Sequence, residues 1–369
     1  MTLSSQSQYE LTSYEWSRLL GTSSEDSASA ITTGLDGSIY IAGSTWGDLD
    51  GQTNSGGGDA FISKYNPDGT KEWTKLLGTE SNDVGYALIT GEDGSIYIAG
   101  STTGDLNGQT NSGSSDAFIS KYNPDGTEEW TQLVGSSSAD FANALTTGND
   151  ESIYIAGNTS GDLDGQTNSG GYEDTFISKY NLDGTKDWTR LLGTSDADLG
   201  NAITTGSDGS IYIAGSTFGD LDGQTNSGSY DFFISKYNPD GTKDWTRVLG
   251  TSLNDYAYAL TAGSDGSIYI AGSTDGDLDG HDDAFISKYN PDGTKEWTKI
   301  LGSSSADFAN ALNTGNDGSI YIAGYTYGDL DGQTNSGSSD AFISKYNPDG
   351  TKDWTRLSGT SDADHGNAI

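Results

Sequence analysis

The chain has 369 residues, no cysteine, and 54 acidic against 17 basic side chains, for a formal charge of −37. Disulfide staples, thiolate metal sites and cysteine nucleophiles are thereby excluded, and a nucleic-acid partner is disfavoured by charge repulsion. No apolar run approaches the roughly 18–20 residues of a membrane-spanning helix, so no membrane insertion is expected.

Taken in chain order, residues 1–13 read as a disordered leader, with neither the basic nor the apolar region of a cleaved export signal. Residues 14–20 read as a lone outer strand. The first full unit follows. Residues 28–33 (ASAITT) form a short strand of small and branched residues, and Gly34-Leu35-Asp36-Gly37 a tight turn. Residues 38–42 (SIYIA) are a second strand, and residues 43–59 a long polar stretch. Residues 60–65 (AFISKY) are a third strand, Asn66-Pro67-Asp68-Gly69 a strong turn signal, and residues 72–77 (EWTKLL) a fourth strand. The 43 Asp against 11 Glu suit turns better than helices, and no ten-residue window carries a helical apolar period.

The unit repeats. Trp16, Trp73, Trp130, Trp188, Trp245, Trp297 and Trp354 stand 57, 57, 58, 57, 52 and 57 residues apart. Six periods of four short strands predict an all-β fold: a β-propeller of four-stranded antiparallel blades, residues 14–369, with six blades and surplus strands at both ends. Seven blades, or an open fragment of a longer array, are the alternatives. In strands two and three both alternating faces are apolar, as a blade packed between two neighbours requires.

The patterns D-G-S-I-Y-I-A-G-S-T and D-A-F-I-S-K-Y-N-P-D-G-T, with W-x-x-L-L-G-[TS]-S before them, resemble the SBBP β-propeller repeat over about residues 14–369. That resemblance implies the fold and a large, exported type of bacterial protein. It brings no catalytic residues with it.

Four strands in this order put the long second-to-third loops and the blade connectors on one face, where function concentrates. The loops carry Asp48 and Asp50, Asp105 (with Asn107), Asp162 and Asp164, Asp220 and Asp222, Asp277 and Asp279, and Asp329 and Asp331. Paired carboxylates beside a Gly suit Ca²⁺, a hard cation that takes oxygen ligands; equally, Asp caps turns by accepting nearby N–H groups. The connectors carry Asp26, Asp83, Asp140, Asp198, Asp255 and Asp307, which predict either a ring of carboxylates at the channel mouth or six locally fixed connectors. Trp46, Phe218 and Tyr327 vary from copy to copy and are candidates for stacking on a sugar or a protein partner. The outer-strand Trp residues read as core, with Arg or Lys stems lying over them.

His281 and His365 are the only histidines, and all four arginines occupy equivalent outer-strand positions. Near-interchangeable units suit repeated binding better than one asymmetric catalytic centre. The expectation is a non-catalytic interaction module, outside the cell or at its surface, binding a protein or glycan on the long-loop face. A carbohydrate-binding propeller with one weak site per blade, and a hydrolase or lyase on the same scaffold, are the alternatives.

Overall fold

The computed structural model describes residues 17–275 and 281–369, so the predicted leader lies outside the described residues. Blade one holds β1 (Asp26–Thr33), β2 (Ile39–Thr45), β3 (Asp59–Tyr65) and β4 (Lys71–Leu77). Blade two holds β5 (Asp83–Thr90), β6 (Ile96–Thr102), β7 (Asp116–Tyr122) and β8 (Glu128–Val134). Blade three holds β9 (Asp140–Thr147), β10 (Ile153–Thr159), β11 (Asp174–Tyr180) and β12 (Lys186–Leu192). Blade four holds β13 (Asp198–Thr205), β14 (Ile211–Thr217), β15 (Asp231–Tyr237) and β16 (Lys243–Leu249). Blade five holds β17 (Asp255–Ala262), β18 (Ile268–Thr274), β19 (Asp283–Tyr289) and β20 (Lys295–Leu301). Blade six holds β21 (Asp307–Thr314), β22 (Ile320–Thr326), β23 (Asp340–Tyr346) and β24 (Lys352–Ser358). Each blade is a separate antiparallel sheet in sequence order, and the described residues contain no helix. The fold is a six-blade β-propeller.

The strands run further toward the long-loop face than the sequence suggests. β2 continues through Gly43-Ser44-Thr45, and β1 and β3 begin on Asp26 and Asp59. Small polar residues can end a strand here because Asp26 pairs with Thr45 and Thr45 with Asp59, so all three elements finish together at one edge.

Each inner strand also carries a bulge, at Ala28/Ala30 in β1 and Gly85/Ala87 in β5. The bulge drives the carbonyl of Val84 against the Cα of Gly100, where a Cβ would collide with it. This contact demands the Gly of S-I-Y-I-A-G. In three blades the skipped residue is an Asn. Asn143 Nδ2 donates to Gly200 O at 3.0 Å and Asn201 Nδ2 to Ala257 O at 2.9 Å, stitching inner strands together around the axis.

The core lies between blades. At the first junction Tyr40, Ala42 and Ile62 meet Ile96, Ile98 and Phe118, and equivalent clusters fill the next four junctions. A fully buried Ile or Phe contributes roughly 1.5–3 kcal/mol of transfer free energy, so the repeated I-Y-I and F-I-S-K-Y strands supply most of the cohesion. The Trp residues close each junction from outside. Trp73 packs 6.1 Å from the Tyr40 ring and donates Nε1–H to Pro124 O of the next blade at 3.2 Å. Lys64 lies over the Tyr40 ring at 5.8 Å and also reaches Pro124 O, at 3.3 Å. Arg190 and Arg247 lie over Trp188 and Trp245, at 5.2 and 5.1 Å.

Candidate functional site: an aromatic rim on the long-loop face

The loop carboxylates are held by protein donors. In each described copy the first Asp accepts a main-chain N–H six residues on: Asn54 to Asp48 at 3.0 Å, and Asn111 to Asp105, Asn168 to Asp162, Asn226 to Asp220 and Asn335 to Asp329 at 2.9 Å. The second Asp is a turn residue. Asp50, Asp164, Asp222 and Asp331 hold φ of 51–53° and precede a Gly that is also left-handed, which makes L-D-G-Q a two-residue hairpin turn. Their carboxylates bind the first Lys of the outer strand: Lys71 to Asp50, Lys186 to Asp164, Lys243 to Asp222 and Lys352 to Asp331. A Thr hydroxyl joins each pair (Thr74 to Asp50 at 2.6 Å) and continues to a buried Ser, with Ser63 Oγ 2.8 Å from Thr74 Oγ1.

At Asp50, burial raises the carboxyl pKa, but bonds from Lys71 and Thr74 outweigh it and leave the group below its usual range. The structure therefore brings these carboxylates to lysines and main-chain amides. No group of three or more His, Asp or Glu among the described residues is arranged to hold a metal ion. Asp277 and Asp279 lie outside the described residues.

The connector carboxylates do not line the channel mouth. Asp83, Asp140, Asp198, Asp255 and Asp307 are at most 1% exposed, sealed inside the blade junctions, and Asp26 is half-buried. Each fixes its own connector. Asp83 Oδ2 accepts from Thr79 N at 2.6 Å and Thr79 Oγ1 at 2.9 Å, and Asp26, Asp140, Asp198 and Asp255 repeat the pattern. Asp307 accepts from Ser303 N at 2.6 Å.

Sequence reasoning missed a second set: Asp59, Asp116, Asp174 and Asp231, the first residues of D-A-F-I-S-K-Y and its variants. They are buried in the same junctions, and one oxygen of each lacks a hydrogen-bond donor. Each presses on the Gly that ends the outer strand; Asp116 abuts Gly135, where a Cβ would collide with its carboxylate. The obligatory Gly of L-L-G was the available signal. Burial raises the pKa of Asp83, Asp140 and Asp198 in the first set and of Asp59, Asp116, Asp174 and Asp231 in the second, and pushes Asp198 up to about 6 against the bonds from Thr217 and Thr194 and with the Asp174 charge adding to it; at Asp26 burial is outweighed by the bonds from Thr45 and Thr22, which lower it.

The asymmetric feature of the face is aromatic. Phe218 is 46% and Tyr327 47% exposed. Phe218 packs edge-on to Tyr230 at 5.2 Å, Tyr230 lies 5.3 Å from Tyr256, and Tyr256 stacks near-parallel to Tyr258 at 6.0 Å. On blade six Tyr325 stacks on Phe308 at 4.9 Å and on His365 at 4.0 Å, with Tyr327 edge-on at 5.7 Å.

The two runs adjoin. Burial pushes the Tyr258 hydroxyl up to about 12, a bond with Ser273 opposes it, and Tyr256, Asp282 and Tyr325 add to it. Asp282 sits beside them, raised by burial and by the charges of Asp275 and Asp255. Trp46, 41% exposed on blade one, stands apart against Gly58. Only Phe218 and Tyr327 of this rim were singled out in the sequence. Tyr256, Tyr258 and Phe308 lie on inner strands, Tyr325 on the second strand β22 and Tyr230 just before β15; at the positions of Tyr230, Tyr258 and Tyr325 most copies carry small or polar residues, whereas Tyr256 and Phe308 share a position with Val84, Phe141 and Leu199.

The architecture makes the chain a β-propeller. Residues 15–50, 72–107, 187–222 and 244–279 match the SBBP β-propeller repeat, and residues 92–127, 206–246, 263–296 and 315–355 match a second β-propeller family, the domain of unknown function DUF5122. Four of its repeats thus match the SBBP β-propeller repeat. A regulatory protein of Caulobacter vibrioides, FlaEY, is 29% identical over 189 residues, covering 45% of this chain; the match spans 20% of that protein's length. Among solved structures, a catalytically inactive virginiamycin B lyase from Staphylococcus aureus superposes with a TM-score of 0.55 at 15% identity, covering 91% of this chain and 86% of that one. The Pan2 WD40 domain of Neurospora crassa gives 0.53 at 11% identity, covering 90% and 78%. At these identities the likeness is one of fold.

Proposed function

We propose that the protein is a non-catalytic interaction module that binds a protein partner through the aromatic rim of blades four to six. The observation that carries this reading is the continuity of Phe218, Tyr230, Tyr256 and Tyr258 on a surface whose other blades lack it. Exposed aromatic rings give large contact area at small entropic cost and dominate binding hot spots. Asp275 and Asp282 beside them, on a chain of charge −37, favour a partner that presents Lys or Arg. A WD40 domain among the similar folds agrees with an interaction role.

Catalysis gains no support from the one Ser–His approach nearby. His365 Nε2 lies 3.2 Å from Ser339 Oγ, but Ser339 is fully buried, out of reach of a substrate. A site outside the cell or at its surface belongs to this reading and rests on the cysteine-free, acidic composition.

The test is parallel screening of a displayed peptide library and a glycan array. Peptides rich in basic and aromatic residues are expected. Phe218→Ser combined with Tyr327→Ser should weaken them at least tenfold, while Trp46→Ser leaves them unchanged. Glycan binding lost in the same double variant would replace this reading with the carbohydrate-binding one. Peptides indifferent to the double variant would place the site elsewhere.

A further inference from the structure

Blade five breaks the repeat on the long-loop face. Residues 275–282 join β18 to β19, against residues 46–58 between the same strands of blade one, so the connection is five residues shorter. Its two ends carry Asp275 and Asp282. In the other copies the first of these positions holds Trp46, Thr103, Ser160, Phe218 or Tyr327, and the second Gly58, Ser115, Glu173, Tyr230 or Ser339. Blade five is thus the one copy with a carboxylate at both. Main-chain bonds place them. Asp275 N donates to Asn254 O at 2.9 Å, which ties it to the connector leading into β17. Asp307 N donates to Asp282 O at 2.6 Å, as Asp255 N does to Tyr230 O at 2.6 Å. Asp282 therefore holds between blades five and six the position that Tyr230 holds between blades four and five.

The two carboxylates stand between the aromatic runs of the rim. On one side Tyr256 and Tyr258, two residues apart on β17, are half-buried, with ring centroids 6.0 Å apart and planes within 10° of parallel. A planar group can lie parallel to both. On the other side Tyr325 uses its faces on Phe308 and His365, which leaves its edge and hydroxyl. Burial is the main cause that raises the hydroxyls of Tyr256, Tyr258 and Tyr325, and the charge of Asp282 adds to it at all three; Asp275 adds to it at Tyr256. The two carboxylates thus act on one group of rings. No Lys or Arg among the described residues pairs with Asp275 or Asp282. The lysines hold carboxylates of turns and outer strands instead, such as Asp50 and Glu72. Half-buried like charges without a basic partner cost stability, and such local conflicts are expected where a chain binds something.

We propose that Tyr256, Tyr258, Tyr325, Asp275 and Asp282 form the binding site for one arginine side chain of the protein partner, its guanidinium lying on the Tyr256–Tyr258 pair and donating to both carboxylates. This rests on the reading of the aromatic rim as a protein-binding surface, and it names the group that the partner places at the centre of that rim. The choice among cations follows from the donors each carries. A quaternary ammonium has no N–H, so it would leave both carboxylates without a donor in a site it had dried. A lysine ammonium is a compact, strongly hydrated point charge. A guanidinium is planar, stacks on aromatic faces and carries five N–H donors in a fork, so it can serve carboxylates that stand at opposite ends of one connection. The chain already lays guanidinium groups on rings in this way, Arg190 over Trp188 at 5.2 Å and Arg247 over Trp245 at 5.1 Å.

The probes are three blocked tripeptides, acetyl-Gly-Arg-Gly-amide and its lysine and citrulline counterparts, titrated into the full chain at constant ionic strength and followed by NMR of the peptide. We expect saturable, millimolar binding of the arginine peptide, at least fivefold tighter than the lysine peptide. Citrulline keeps the shape and loses the charge, and should bind at least tenfold more weakly than arginine. Asp282→Asn should weaken the arginine peptide at least tenfold, and Tyr256→Leu should remove its preference over lysine. Both positions are half-buried and Asp282→Asn keeps the shape, so both variants should fold; circular dichroism checks this. Asp68→Asn, which removes one charge on the opposite face, should change nothing. No saturation by the arginine peptide, equal affinity for arginine and lysine, or indifference to Asp282→Asn overturns the arginine site and leaves the rim standing, since the rim is tested by library peptides and by Phe218 and Tyr327. An arginine site that needs Asp282, in a chain that retains no library peptide, overturns the protein partner and leaves a site for a free guanidinium compound.

Discussion

At the scale of single residues, the repeats act as internal controls for one another. The first hairpin turn of each blade needs a left-handed residue at its fourth position, and blades one, two, four, five and six place Gly there with φ of 77–82°. Blade three has Glu151 instead, at φ 63°. An L-residue in that region costs roughly 1–2 kcal/mol, and Glu151 makes no hydrogen bond through its side chain that would offset it. Glu151→Gly should therefore stabilise the fold by roughly 1 kcal/mol, read as a higher denaturant midpoint at unchanged slope; an unchanged or lower midpoint would refute the strain. Turns of this kind were legible in the sequence because D-G and N-P-D-G report local backbone geometry. The rim was not. Tyr256, Tyr258 and Phe308, on inner strands, and Tyr325, on the second strand β22, come together only when blades five and six converge, and nothing in the neighbourhood of each residue along the chain announces it.

At the scale of the blade, the hairpin loop and the outer strand are coupled, and one blade shows the coupling by exchanging both partners. Blades one, three, four and six pair an Asp in the turn with a Lys that opens the outer strand. Blade two has Asn107 and Glu128, and Asn107 Nδ2 donates to Glu128 Oε1 at 2.6 Å. Within the loop, Asn107 is a departure from the paired Asp of the other copies. With Glu128 beside it, the Asn is what keeps two carboxylates from facing each other. Asn107→Asp alone should destabilise by about 0.5–1 kcal/mol, and Glu128→Lys should rescue it, giving a favourable coupling of about 0.5–1 kcal/mol in a double-mutant cycle. The figure is set low because these pairs are about a third exposed and screened by solvent. Zero coupling would mean that the loop and strand are independent. Strand order and the face that carries the long loops were readable from loop lengths alone. The destination of the carboxylates was not, because it depends on a lysine 21 residues away along the chain.

At the scale of the whole molecule, two populations of aspartate pull the pH dependence in opposite directions. Turn residues such as Asp68, Asp125, Asp183 and Asp240 are held below their usual range by Thr hydroxyls and amides, so the stability they confer is lost as pH falls through that range. The junction carboxylates Asp59, Asp83, Asp116, Asp140, Asp174, Asp198 and Asp231 are raised, burial being the main cause in each. A carboxyl with a raised folded-state pKa holds its proton longer when folded than when unfolded. Its contribution is complete below about 3.8 and disappears as pH climbs through the folded value, about 6 for Asp198. Neutralising part of a charge of −37 acts in the same sense, since it relieves self-repulsion. The melting temperature should accordingly peak near pH 4–5 and fall by several degrees toward pH 7.5, with a second decline below about pH 3.5. Asp198→Asn should flatten the limb between pH 5 and 7, because it removes the group that titrates there while leaving an amide oxygen to accept from Thr194. Scanning calorimetry at constant ionic strength separates the titration from general screening. A melting temperature that rises steadily from pH 4.5 to 7.5 would mean that the junction carboxylates stay ionised in the fold, each with a donor or counter-ion at the oxygen that now lacks one.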